Sequence, residues 1–185
     1  MKKFLSFIWE ISKIVIIALL IVIPIRYFLF QPFLVKGQSM EPNFENGNYL
    51  IIDELSYRFQ SPRRGEVIVF KYPYDPSQRY IKRIIGLPGE TVEIEGGKIF
   101  VSGEILDESN YLSEEVFTPN YSFTKITLGE NEYFVLGDNR FHSSDSRLWG
   151  LLPEDDIIGR VVIRAWPFTA LAKIAAPQYE MMNAR

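Results

Sequence analysis

The side chains that could do chemistry fall in three stretches. In the first, Gly37-Gln38-Ser39-Met40-Glu41-Pro42, a serine stands between a glycine and a proline. The glycine permits close packing or unusual dihedrals, and the proline fixes φ and stops a helix from running on. A serine in such a turn is either an ordinary turn residue or a hydroxyl presented to another molecule. In the second, Tyr80-Ile81-Lys82-Arg83-Ile84-Ile85, strand alternation puts Tyr80, Lys82 and Ile84 on one face and Ile81, Arg83 and Ile85 on the other. A lysine there is either solvated or desolvated by its aromatic and aliphatic neighbours. Desolvation disfavours the ammonium, and a neutral amine is a general base at about pH 7–8. The third runs Gly137-Asp138-Asn139-Arg140-Phe141-His142-Ser143-Ser144-Asp145-Ser146-Arg147-Leu148-Trp149-Gly150. It reads as a surface loop of Asx and Ser turns, or as a loop that orients a lysine with a serine hydroxyl and braces the site through Asp–Arg pairs.

Composition narrows the chemistry. The chain has 185 residues, room for one ordinary domain and an extra element. Its net charge of −3 and lack of a Lys/Arg run argue against nucleic acid as a partner. With no cysteine, disulfides, thiolate catalysis and cysteine-ligated zinc are excluded. The single histidine, His142, would have to serve any Ser-His-Asp triad or histidine metal site alone.

Two kinds of element must position these residues. Residues 4–35 are overwhelmingly apolar, and residues 14–25 carry no charge. A transmembrane helix needs roughly 20 such residues, and residues 14–35 supply them if Arg26 snorkels to the far interface. Pro24 would bend or end that helix. Lys2, Lys3 and Lys13 precede the run, so the N-terminus is expected in the cytoplasm and the body outside. No small-x-small cleavage site follows, which favours an uncleaved anchor over a signal peptide. Residues 36–185 read as β-rich, with short apolar runs at 49–52, 66–70, 80–85, 133–136 and 159–164 between Gly and Pro turns. Residues 91–95 and 98–101 flank Gly96-Gly97, a hairpin signal. The expected fold is mainly β: an antiparallel, partly closed barrel-like body at 36–185, behind an anchor at 1–35. Residues 103–130 read as a loop-rich insertion, and 170–176 as a short, weakly helical tail.

In this order, behind an apolar N-terminus, the stretches resemble type I signal peptidase, the bacterial leader peptidase family. The matches are Ser39-Met40-Glu41-Pro42; Arg64-Gly65-Glu66-Val67-Ile68-Val69-Phe70 leading to Tyr80-Ile81-Lys82-Arg83-Ile84-Ile85-Gly86-Leu87-Pro88-Gly89-Glu90; and Gly137-Asp138-Asn139-Arg140 through Ser143 and Asp145-Ser146-Arg147 to Trp149-Gly150. The resemblance implies a membrane-bound serine protease with a Ser/Lys dyad that removes signal peptides from exported preproteins. Ser39 matches the nucleophile and Lys82 the general base. Ser143 matches the serine that hydrogen-bonds and orients the lysine. Asp145 and Arg147 match a supporting ion pair, and Asp138 a structural acid. The Ser39 N–H would donate to the oxyanion. Gly37 stands where some members carry a serine whose hydroxyl is the second donor. Asn43-Phe44 departs from the Thr or Ser followed by Leu of many members. His142 matches no catalytic position.

The implied reaction runs through an acyl-enzyme and needs no metal or cofactor. Val35, Met40, Phe44, Tyr80 and Ile81 are expected to line a shallow pocket that takes small substrate residues, as in Ala-x-Ala sites. Partners would be preproteins and membrane lipids, at the plasma membrane, with an apolar rim dipping into the bilayer. Two rivals remain. A self-cleaving repressor shares the dyad but would carry a DNA-binding helix-turn-helix in place of the apolar segment. A membrane-tethered β domain could bind envelope ligands without catalysis.

Overall fold

The computed structural model describes residues 2–28, 30–113, 115–122 and 124–177, with the backbone alone for residues 2, 3, 5, 21, 23–28 and 30. Helix α1 (Lys2–Phe28) is followed by strands β1 (Phe30–Leu34), β2 (Tyr49–Asp53), β3 (Val67–Tyr72), β4 (Asp75–Gly86), β5 (Thr91–Glu95), β6 (Lys98–Val101), β7 (Glu104–Ile105), β8 (Lys125–Thr127) and β9 (Glu132–Leu136). A single-turn helix α2 (Ser146–Trp149) precedes β10 (Leu152–Pro153), β11 (Ile157–Trp166) and β12 (Ala172–Lys173).

Every strand pairing is antiparallel. An eight-stranded sheet runs β1-β2-β11-β3-β4-β9-β10, with β12 added on β11, and a four-stranded sheet runs β7-β6-β5-β8. The mainly β expectation is met, but the large sheet stays open: β1 and β10 are its two ends, and no barrel closes among the described residues. Gly96 and Gly97 both take positive φ, +57° and +80°, which is what a two-residue connection between β5 and β6 requires. The segment 103–130 is not merely loop, since it supplies β7 and β8 and so completes the small sheet. The tail expected to be helical instead pairs with β11 as β12, after a short 3₁₀ turn at Phe168–Ala170.

The N-terminal expectation changes most. Residues 30–34, placed within the span, form β1 and pair with β2 from Phe30↔Asp53 to Leu34↔Tyr49. A helical span expected to run to residue 35 is therefore cut short, because the backbone groups of residues 30–34 are used by the sheet. Helix α1 stands apart with its apolar side chains, among them Phe4, Trp9, Ile14 and Leu20, exposed. Among the described residues, no helix is long and apolar enough to cross a membrane. The side chains of Lys2, Lys3, Pro24, Arg26, Tyr27, Phe28 and Phe30, on which the expected flanks rest, lie outside the described residues.

The core sits on both faces of the large sheet. Strand β4 is buried without a break from Ile81 to Gly86. Ile81 joins Val35, Met40, Phe44, Leu50 and Val69 in one cluster, Ile84 joins Phe70, Val135 and Trp149 in a second, and Ile85 faces the small sheet with Val92 and Phe134 in a third. A strand so enclosed has no room for a hydrated cation, yet Lys82 and Arg83 lie in the middle of it.

Candidate active site

The connection from β1 to β2 presents Ser39. It is closed at its base by Val35 N–H donating to Asn48 O at 2.9 Å and Gly47 N–H to Val35 O at 2.9 Å. Within it, Phe44 N–H bonds Met40 O at 2.8 Å, one helical turn. Positions four apart share a face of such a turn, so Met40 and Phe44 both enter the core and pin the loop. Ser39 is left facing out.

Pairing of β4 with β9 sets the opposite side. Arg83 stands opposite Leu136, so the same register carried one residue on brings Gly137 beside Lys82. The two candidate reactive groups meet here: Lys82 Nζ lies 2.8 Å from Ser39 Oγ. The amine also donates to the Ile81 carbonyl at 2.8 Å and sits over the Tyr80 ring at 5.5 Å. Burial, opposed by the nearby carboxylates of Asp145 and Asp138, lowers the Lys82 pKa to about 8. Each carboxylate is already held by an arginine, which blunts its pull on the ammonium. Arg83 grips Asp138 through Nε at 2.8 Å and Nη2 at 2.7 Å. Arg147 grips Asp145 through Nε and Nη2, both at 2.8 Å. Asp145 also accepts from Gly137 N–H at 3.1 Å and caps α2. All four of these side chains are buried, where a fork-shaped guanidinium on a carboxylate is the arrangement that survives desolvation.

Ser143 departs from expectation. It is buried close to the dyad, but its Oγ has no hydrogen-bond partner among the described residues. It makes no hydrogen bond to Lys82, whose partners are Ser39 and the Ile81 carbonyl. Its hydroxyl is pressed over Gly137, where a Cβ would fall 2.2 Å from Ser143 Oγ and 2.4 Å from Ser39 O. The amine is held by Ser39 Oγ and by the Ile81 carbonyl of its own strand.

The residues expected to form the pocket divide between cleft and core. Val35, Met40 and Phe44 are core residues that hold the Ser39 loop from beneath, and none of them lines the cleft over the dyad. A cleft of about 730 Å³ does open over the dyad, lined by Ser39, Lys82, Tyr80 and Ile81 from the expected set. Its other wall is Pro32, Phe33 and Leu34 of β1. Sequence reasoning missed that wall because the apolar run hid a strand behind a helix; Pro32, a helix breaker, was the available signal. His142 and Ser144 border the cleft, and His142 Nδ1 lies 3.2 Å from Asn139 Oδ1.

For an oxyanion, the Ser39 N–H has no partner among the described residues. Gly37 N–H is taken by Asn46 Oδ1 at 3.0 Å, and Gly37 has φ of +87° with open space where a side chain would start. No cluster of metal-ligating side chains occurs among the described residues. The arrangement is a hydroxyl bonded to a desolvated amine, beside a free N–H, at the floor of an open cleft. That is the equipment for attack on an amide carbonyl.

The family model described as signal peptidase, peptidase S26, matches residues 8–166. A probable signal peptidase I-2 of Synechocystis sp. is 38% identical over 164 residues, covering 85% of this chain and 73% of the relative. A signal peptidase I of Leptolyngbya laminosa is 38% identical over 173 residues, covering 89% and 83%. A crystal structure of a signal peptidase I from Enterococcus faecalis aligns at 35% identity with a TM-score of 0.46, over 55% of this chain and 97% of that one.

Proposed function

Since the chain belongs to the signal peptidase family, peptidase S26, we infer that it is a serine endopeptidase that removes signal peptides from preproteins, with Ser39 as nucleophile and Lys82 as general base. The observation that carries the assignment of roles is the 2.8 Å contact between Lys82 Nζ and Ser39 Oγ. Neutral Lys82 takes the Ser39 proton as Oγ attacks the scissile carbonyl. The developing oxyanion accepts from the Ser39 N–H. The ammonium then protonates the leaving amine, giving an acyl-enzyme, and Lys82 activates the water that hydrolyses it. Asp138, Asp145, Arg83 and Arg147 hold the surrounding turn, and Ser143 fills the space over Gly137.

The substrate lies extended in the cleft between β1 and the first half of β4. Strand β1 is a sheet edge, and an edge offers main-chain donors and acceptors to an added strand. Tyr80, Ile81, Phe33 and Leu34 then meet the residues before the scissile bond, which favours small ones there.

The chain divides into an N-terminal anchor and a peptidase body, with the boundary after Phe28, ahead of β1. Helix α1 holds the protein at the plasma membrane, N-terminus in the cytoplasm and body outside. The charge-free run 14–25 and the exposed apolar side chains of α1 support this. Lipids also meet a row across three strands. Leu34 pairs with Tyr49 and Tyr49 with Trp166, all exposed, and Phe168 stacks edge-on against Trp166 at 4.7 Å.

The test is incubation of detergent-solubilised protein with a preprotein, alongside Ser39→Ala. The parent should yield two product bands and the variant none. An uncut preprotein with the parent would favour a binding domain without catalysis; cleavage by a folded Ser39→Ala protein would remove Ser39 from its role.

A further inference from the structure

Glu108 lies in the stretch 106–121, which carries no role in the chemistry above, yet contacts from this stretch converge on the catalytic turn. The buried guanidinium of Arg140 is held by Glu108, Nη2 to Oε1 at 2.5 Å and Nη1 to Oε2 at 3.0 Å. Thr118 Oγ1 accepts from the same Nη1. The Nε–H of the same guanidinium donates to Gly137 O at 3.0 Å. Gly137 is thus held on both sides of its residue, by Arg140 at its carbonyl and by Asp145 at its N–H.

Gly137 and its neighbours in turn fix the Ser39 backbone. Gly137 lies against Ser39 O so closely that a Cβ would fall 2.4 Å from it. Asn139 N–H donates to Ser39 O at 3.1 Å, and Asn139 Nδ2 to Gln38 O at 3.1 Å. A second route starts at the same carboxylate. Tyr111 Oη donates to Glu108 Oε1 at 2.5 Å, and the Tyr111 ring lies 4.0 Å from the guanidinium of Arg83, the partner of Asp138. Tyr111 O also accepts from Asn43 Nδ2, which donates to Asp138 as well, both at 2.8 Å.

We propose that Glu108 is a positioning residue for the Ser39–Lys82 dyad, acting through Arg140 and Gly137, with Thr118 as its auxiliary. The inference rests on the dyad reading above. A carboxylate fixes a buried guanidinium in one orientation because both members of the fork are filled. Without it, Arg140 keeps Thr118 and the Gly137 carbonyl but loses the bidentate hold that aims Nε. The peptide of Gly137 then shifts, and with it the Ser39 carbonyl, N–H and Oγ. Glu108 touches neither the cleft lining nor the reacting atoms, so substrate affinity is unaffected.

The test compares Glu108→Gln, Thr118→Val and Ser39→Ala in the full chain, with folding followed by circular dichroism. Kinetics are measured on a short peptide substrate. Glu108→Gln should lower kcat by at least about tenfold, since a misplacement of about 1 Å at reacting atoms costs up to ~10²-fold, while KM stays within about twofold. Thr118→Val should change the same parameter in the same direction by less. A folded Glu108→Gln protein with parental kcat, or with its loss confined to KM, overturns the proposal. Where Glu108→Gln does not fold, Thr118→Val decides: parental kcat overturns the proposal. The Ser39→Ala arm separates the two readings. Activity retained there sinks the dyad itself; its absence together with full activity of Glu108→Gln sinks only the positioning role.

Discussion

Lys82 joins two conditions that water keeps apart: a basic amine, and the absence of its proton near neutrality. The ordinary lysine pKa of about 10.4 leaves almost no free base at pH 7. Burial brings Lys82 to about 8, against the upward pull of Asp145 and Asp138. Below that value the amine is an ammonium and cannot accept the Ser39 proton. kcat/KM should therefore rise with pH through an apparent pKa near 8 and level off above it. A profile flat from pH 6 to about 10 would count against Lys82 as the base. Lys82→Arg keeps charge and stem but cannot deprotonate. It should cost at least ~10²-fold in kcat/KM in a protein that circular dichroism finds folded.

At the scale of the element, the decisive feature is how closely the turn after β9 approaches the Ser39 loop. Gly137 has no strained φ; it is glycine because a side chain would meet Ser39 O and the Ser143 hydroxyl. Both obstacles are tightly held: the Ser39 carbonyl by Asn139 N–H, and Ser143 by its burial. Gly137→Ala should therefore move the Ser39 backbone and leave the β4–β9 ladder intact. We expect kcat to fall by roughly 10²-fold, in line with the cost of about 1 Å of misplacement, with KM changing little and a stability loss of about 1–3 kcal/mol from the overpacking. A variant with parental kcat would show that the two loops can part without consequence. The β1 edge obeys the same logic from the other side. It walls the cleft with backbone that substrate can pair with, while Met40 and Phe44 hold the loop it leads into.

At the scale of the whole molecule, the proposed membrane setting requires that the cleft reach substrates whose apolar segments lie in lipid. Helix α1 leads directly into β1, and β1 forms one wall of the cleft. At the far end of β1, Leu34 belongs both to the cleft lining and to the exposed row with Tyr49, Trp166 and Phe168, and Leu171 is exposed nearby. Each large apolar side chain moved from water to lipid contributes about 1.5–3 kcal/mol. Replacing Trp166, Phe168 and Leu171 together by serine should lower cleavage of a vesicle-inserted preprotein by at least about tenfold. Cleavage of a short soluble peptide should be unchanged. Equal losses on both substrates would mean that the row supports the fold and does not meet lipid.

The sequence by itself determined the β-rich body, the hairpin at Gly96-Gly97, and the residues worth watching: Ser39, Lys82, Asp138, Asp145 and Arg147. These are legible because turn chemistry, strand alternation and short motifs are local, readable within a few residues of chain. The open sheet, the strand at 30–34 and the contact between Ser39 and Lys82 depend on segments distant in sequence. An apolar run reads alike as a membrane helix or as a strand paired with a neighbour, and only pairing with β2 separates the two at 30–34. Met40 and Phe44 look equally suited to a pocket and to a core; the turn that aims them inward decides. The partners of Ser143 and Glu108 are hidden from the sequence for the same reason. Hydrogen bonds are set by distance and angle in space. The fold leaves the Ser143 hydroxyl without a partner among the described residues and brings Glu108 onto Arg140.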